Sequence, residues 1–248
     1  MARLLVGLPA LQGDLAKYAG RFDLVEVRPA EGGAAHGQGG LYPRPTTLRK
    51  WRKSVPPSFV FSVVLPRAAA ELVPGDALDA AVAEALEAAA ALEARCVVLQ
   101  TPASVRPTTA NRKRLAALFD KIPREGTLRC WEPAGIWERE EALALGRTLS
   151  VLVVLDAARD APGPGPLVYT RLRALGKTAS LGAPAIERVA ERLRRRRESF
   201  VVVEGPPAEA QRVKQALAAE LARKPARMTG VTTVRPASST LVAEDEEQ

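Results

Sequence analysis

Phe59-Val60-Phe61-Ser62-Val63-Val64, a long alanine-rich segment, and then Cys96-Val97-Val98-Leu99-Gln100 decide the fold. In the segment between the two apolar runs, Leu78, Val82, Ala85, Leu86, Ala89 and Leu92 recur at spacings of three and four, the period of a helix with one buried face. The runs themselves are short and nearly continuous rather than alternating, as strands buried on both faces of a parallel sheet are. Run, helix, run is therefore a βαβ unit. The same rhythm extends outward in both directions, with further apolar runs at 4–6, 24–27, 128–131, 151–155, 167–170 and 200–203. Helical spacing follows at Leu115, Ala116 and Phe119, at Ile186, Val189, Ala190 and Leu193, and at Val213, Ala216, Leu217 and Leu221. Eight runs alternating with helices predict a TIM-type (β/α)8 barrel, an α/β fold that carries its site at the C-terminal ends of the strands.

The length of 248 residues fits one such domain, which needs about 250. We expect the barrel over residues 1–223 and an extended or disordered tail over 224–248, where helical signals fade and the chain ends acidic. Two stretches break the rhythm. The glycine-rich 30–40 contains the only histidine, His36, and 160–166 reads Asp-Ala-Pro-Gly-Pro-Gly-Pro; both are expected as loops at the barrel mouth. The sixth helix shrinks to 157–159, so the barrel is expected to be irregular there. No run of about 18 apolar residues is present, and Met1 leads straight into a strand, which predicts a cytoplasmic protein without membrane attachment. Cys96 and Cys130 each fall within a strand and read as small buried hydrophobes, not as a disulfide framework.

The residues that terminate the runs are polar. At the expected mouth stand Glu26, Arg28, Gln100, Glu132, Asp156, Arg171, Arg173 and Glu204. Arg171 and Arg173 alternate along one strand, so they face the same way and together could fork a phosphate or carboxylate.

Several pieces resemble, in order, the YecE-like family, also called domain of unknown function 72. They are Tyr18-Ala19-Gly20-Arg21-Phe22-Asp23-Leu24-Val25-Glu26-Val27, Tyr42-Pro43-Arg44-Pro45, Leu48-Arg49-Lys50-Trp51 ahead of Pro56, and Phe59-Val60-Phe61-Ser62-Val63. Further on come Val98-Leu99-Gln100-Thr101-Pro102, Trp131-Glu132 and Tyr169-Thr170-Arg171-Leu172. The resemblance covers roughly residues 3–222 and rests on collinearity. It implies a TIM-type barrel in a family whose activity is unsettled. The chain departs from the family pattern at its strand ends. The N-terminal Gly-Trp-Ser-Tyr region is shortened to Gly7-Leu8-Pro9, Val64 replaces a lysine, Ala134 an arginine and Arg173 a histidine, Trp137 comes one residue early, and Glu204-Gly205 replaces an Asn-Asn pair.

Two functional readings stay open. In the first, the mouth binds a small anionic ligand or a partner through Arg28, Gln100, Asp156, Arg171 and Arg173, with the catalytic set at Glu26, Glu132 and Glu204 partly lost. In the second, the protein is a metal-independent or Mg-assisted hydrolase of phosphate or glycosyl esters that uses Glu26 and Glu132 as acid and base. Whether the chain is an enzyme is left undecided. A carboxylate-only Mg²⁺ site would have to compete with the adjacent arginines, a Ser-His-Asp triad would require His36, which sits in the glycine-rich loop, and a lone histidine cannot give a histidine-rich zinc site. The glycines around His36 match neither a P-loop nor a dinucleotide fingerprint, so no cofactor and no metal is expected. The net charge of +8 is densest at Arg192, Arg194, Arg195, Arg196 and Arg197, which close a helix at the rim opposite the mouth. With aromatics at 4% there is no stacking platform, and a solvated helix end is the expected reading ahead of nucleic-acid contact.

Overall fold

The computed structural model describes residues 3–30, 41–173 and 180–223; His36 and the 224–248 segment, with Lys224 and Arg227, lie outside them. The strands are β1 (Arg3–Leu8), β2 (Leu24–Val27), β3 (Val60–Val64), β4 (Cys96–Gln100), β5 (Leu128–Glu132), β6 (Leu152–Val153), β7 (Leu167–Arg173) and β8 (Glu198–Glu204). The helices are α1 (Leu15–Ala19), α2 (Pro45–Lys53), α3 (Arg67–Ala70), α4 (Asp76–Leu92), α5 (Thr109–Asp120), α6 (Arg139–Leu149), α7 (Ala183–Leu193) and α8 (Pro207–Ala222). All paired strands are parallel, in the order β6-β5-β4-β3-β2-β1-β8-β7, and a single bridge between Leu155 and Thr170 links the two ends. The eight-stranded barrel is therefore nearly closed, and its seam lies where the sequence is irregular.

Two cores share the sheet. Between strands and helices lies the larger one, which includes Val25, Val27, Phe61, Val63, Leu99, Trp131 and Leu172. α4 covers part of it with Leu78, Ala81, Val82, Ala85, Ala88, Ala89 and Leu92, a face of small residues that lets a long helix lie close to the strands. Asp76 and Asp79 in its first turn complement the helix dipole. The second core fills the barrel itself with Leu5, Leu24, Val60, Cys96, Val98, Cys130, Tyr169, Phe200 and Val202. Both cysteines are buried and free. On β1, the next residue in phase with inward Leu5 is Gly7, whose Cβ position would fall 1.8 Å from the Leu24 carbonyl oxygen. Only glycine lets the two backbones approach this closely.

The seam corrects one expectation. The strand run 151–155 forms only a two-residue strand, and residues 157–159 make a turn, not a helix. With no helix to make the return journey, the Pro-Gly stretch itself runs from the mouth to the base, where the Pro166 carbonyl accepts from the amides of Arg197 (2.7 Å) and Glu198 (3.2 Å). It starts at the mouth, as expected, and ends at the base. The arginine cluster after α7 lies at this base as expected, since the Arg197 carbonyl accepts from the Arg3 amide at the start of β1.

Candidate functional site

Strand alternation carries the polar residues into the barrel. Leu24, Cys130, Tyr169 and Val202 face inward, so Glu26, Glu132, Arg171 and Glu204, each two residues further on, face inward one layer higher. The parallel register then sets neighbours: Gln100 lies opposite Glu132, and Arg173 opposite Glu204.

Arg171 is the centre of this layer. Its guanidinium is fully enclosed, with Nη2 donating to Glu26 Oε1 at 2.6 Å, Nη1 to Glu26 Oε2 at 3.0 Å and Nε to Glu132 Oε2 at 2.8 Å. A second contact of Nε, 3.4 Å from Glu204 Oε1, completes the ring of carboxylates. Glu26 is equally enclosed and also accepts from the Tyr169 hydroxyl at 2.7 Å and from Arg28 Nη2 at 2.8 Å. Burial pushes the Tyr169 phenol up, and the Glu26 carboxylate pushes it further, so Tyr169 stays a neutral donor. Arg28 also donates to the Pro9 carbonyl and to Gln100 Oε1, and Gln100 Nε2 donates to Glu132 Oε2 at 2.6 Å. Arg173 bridges Glu132 and Glu204, with Nε 3.1 Å from Glu204 Oε2 and Nη2 donating to Glu132 Oε1. Burial alone would raise the Glu132 carboxyl, but Arg171, Arg173 and Gln100 outweigh it and hold the group below the ordinary carboxylate range.

The expected site residues therefore come together, although in three different settings. Arg28, Gln100, Glu132 and Arg173 border an open cleft of about 970 Å³ at the C-terminal ends of β2 to β5 and β7. Glu26 and Arg171 lie beneath that cleft and do not line it. Glu204 meets Arg173 from the side. Asp156 serves the backbone instead, accepting from the amides of Ala158 (2.9 Å) and Arg173 (3.2 Å), and so pins the end of β7. Arg171 and Arg173 do face the same way, yet only Arg173 reaches the cleft. Among the described residues, no cluster of acids, histidines or cysteines is arranged to hold a metal ion, because an arginine stands between the carboxylates.

Sequence reasoning missed two parts of the site. Tyr169 shares the inward phase of Arg171, and that parity alone could have assigned it. The short helix α3, which with Val64, Leu65 and Pro66 forms one flank of the cleft, has too few residues to show any periodicity.

No protein of curated function matches the sequence. The family described as "Protein of unknown function DUF72" matches residues 6–238. Among solved structures, a DUF72 family protein of Enterococcus faecalis V583 is 16% identical, with 90% of this chain and 99% of that one covered at a TM-score of 0.68. A DUF72 family protein of Thermotoga maritima MSB8 is 16% identical over 87% of this chain and 99% of that one, at a TM-score of 0.62. A xylose isomerase domain containing protein of Salmonella typhimurium LT2, also 16% identical, covers 84% of this chain and 90% of its own at 0.55. At these identities the structures speak for the fold, which is the TIM barrel in each comparison. No helix among the described residues is long and apolar enough to cross a membrane. The family match over most of its length makes this chain a member of the DUF72 family.

Proposed function

We propose that the protein binds a small anionic ligand, bearing a phosphate or carboxylate, at the C-terminal mouth of the barrel, without retaining acid–base catalysis there. The observation that carries this reading is the state of Arg173. Its side chain is 41% exposed and borders the cleft, and among the described residues its Nη1 has no hydrogen-bond partner. Arg28, 34% exposed, borders the same cleft. Three arginines and three glutamates cancel in formal charge across the layer, so selectivity for an anion rests on directed guanidinium donors and not on a net field. Arg171 takes a holding role in this reading: it fixes Glu132, which with Gln100 and Glu204 orients its neighbours Arg28 and Arg173.

The hydrolase alternative draws support from Glu132 at the cleft wall. Against it, a general acid must hold a proton near neutral pH, and Glu132 is shifted the other way. Glu26 is enclosed, and the Arg171 guanidinium fills the space that a scissile bond would need between the two carboxylates.

The test is calorimetric titration of the full chain with inorganic phosphate, a phosphate monoester and a simple carboxylate. We expect saturable binding that Arg173→Gln weakens at least tenfold while circular dichroism shows the variant still folded. Absence of binding at millimolar anion would overturn the proposal. Turnover of phosphate or glycosyl esters that disappears in Glu132→Gln would overturn its non-catalytic part.

A further inference from the structure

The cleft has two chemically different ends. Arg28, Gln100, Glu132 and Arg173 occupy one of them, as described. The other is built by the end of β3 and by α3, where Val64, Leu65, Pro66, Ala68 and Ala70 present methyl and methylene groups, with Leu41 nearby. Among the described residues its only charges, Arg67 and Glu71, pair with each other across one helical turn at 2.7 Å. A phosphate ion or a short carboxylate would fill a small fraction of about 970 Å³, a volume of the size that encloses drug-sized organic molecules.

Resting on the anion-binding reading above, we infer that the ligand is an amphipathic organic anion: its charged group meets Arg173 and Arg28, and its aliphatic or aromatic body lies along Val64, Leu65, Pro66 and α3. The binding energy then divides. The guanidinium donors fix the head, and the body adds affinity in proportion to the apolar area it removes from water.

The experiment is a chain-length series on the full chain: inorganic phosphate, then ethyl, butyl, hexyl and octyl phosphate, with octanol as the uncharged control, each titrated calorimetrically. We expect affinity to rise roughly fourfold per buried methylene, and octanol to bind at least tenfold more weakly than octyl phosphate. Arg173→Gln should weaken every phosphate in the series, and Ala68→Asp, at an exposed position on α3, should bring octyl phosphate down toward inorganic phosphate. Equal affinity of inorganic and octyl phosphate overturns this inference while leaving the anion-binding reading standing. Failure of every phosphate to bind overturns both, and octanol binding as tightly as octyl phosphate overturns the role given to the charged head.

Discussion

Arginines crowd both ends of this barrel, and the two ends use them differently. At the mouth, Arg171 is sealed among carboxylates, with every guanidinium nitrogen donating to Glu26 or Glu132. At the base, the arginines after α7 donate to backbone carbonyls near solvent: Arg194 to Glu220 at 2.9 Å and to Arg223, and Arg196 to Gly165. The same side chain thus neutralises buried charge in one place and satisfies loose carbonyls at chain turns in the other. What differs is the partner left behind when the arginine goes. A carboxylate stranded in the barrel has no access to water, whereas a carbonyl at the base can be hydrated.

The largest effect expected from this contrast comes from Arg171→Met. It strands Glu26 and a share of Glu132 in the interior, and removing one partner of a buried ion pair costs about 3–5 kcal/mol. Urea denaturation of the two proteins would measure it. Adding Glu26→Gln should restore part of the loss, because the second change removes the stranded charge. A loss below about 1 kcal/mol for the single variant would place Arg171 with the base arginines and dissolve the comparison.

Next in size is a dependence on acid that belongs to the mouth alone. The Glu132 carboxyl is held below its ordinary value in the folded protein, so in acid the unfolded chain binds the proton more readily. The sign follows. The stabilisation is fully present above the ordinary carboxylate pKa of about 4.3 and is lost as pH falls through the lower folded value. Melting temperatures measured from neutral pH downward should fall more steeply in the wild type than in Glu132→Gln over that acidic range. Parallel profiles for the two proteins would mean that the arginines do not stabilise the Glu132 charge.

The mouth also shows how much of a site can be read from sequence. The inward phase of Glu26, Glu132, Arg171 and Arg173 follows from strand alternation, and the positions of the strand ends follow from where the apolar runs stop. Which acid meets which arginine does not follow, because it depends on the register between strands that are distant in the chain, as for Arg171 and Glu26. That is why Arg171 and Arg173 looked equivalent as anion ligands, although one is closed off and the other borders the cleft. The apolar flank was hidden for a local reason: α3 and the turn before it are too short to leave a periodic trace. The descent of the Pro-Gly stretch to the base was hidden for a topological one. A loop after a strand normally stays at the mouth because a helix carries the chain back, and between β6 and β7 that helix is missing.

The smallest expected effect tests the base. Arg194→Gln keeps much of the side-chain stem but removes the charge that meets carbonyls in the last turn of α8 and just beyond it. Such contacts with a helix C-terminus contribute about 0.3–1 kcal/mol, and salt screens them. The variant should therefore lose less than about 1 kcal/mol in low salt, with the difference narrowing as ionic strength rises. The same titration separates a structural base from a functional one. If the base arginines bound a polyanion, wild-type affinity for duplex or single-stranded nucleic acid would fall steeply with salt and Arg194→Gln would lower the slope. A stability change confined to low salt, with no such binding, is the result that the carbonyl contacts predict, since arginines already engaged by the backbone have fewer donors to offer a phosphate.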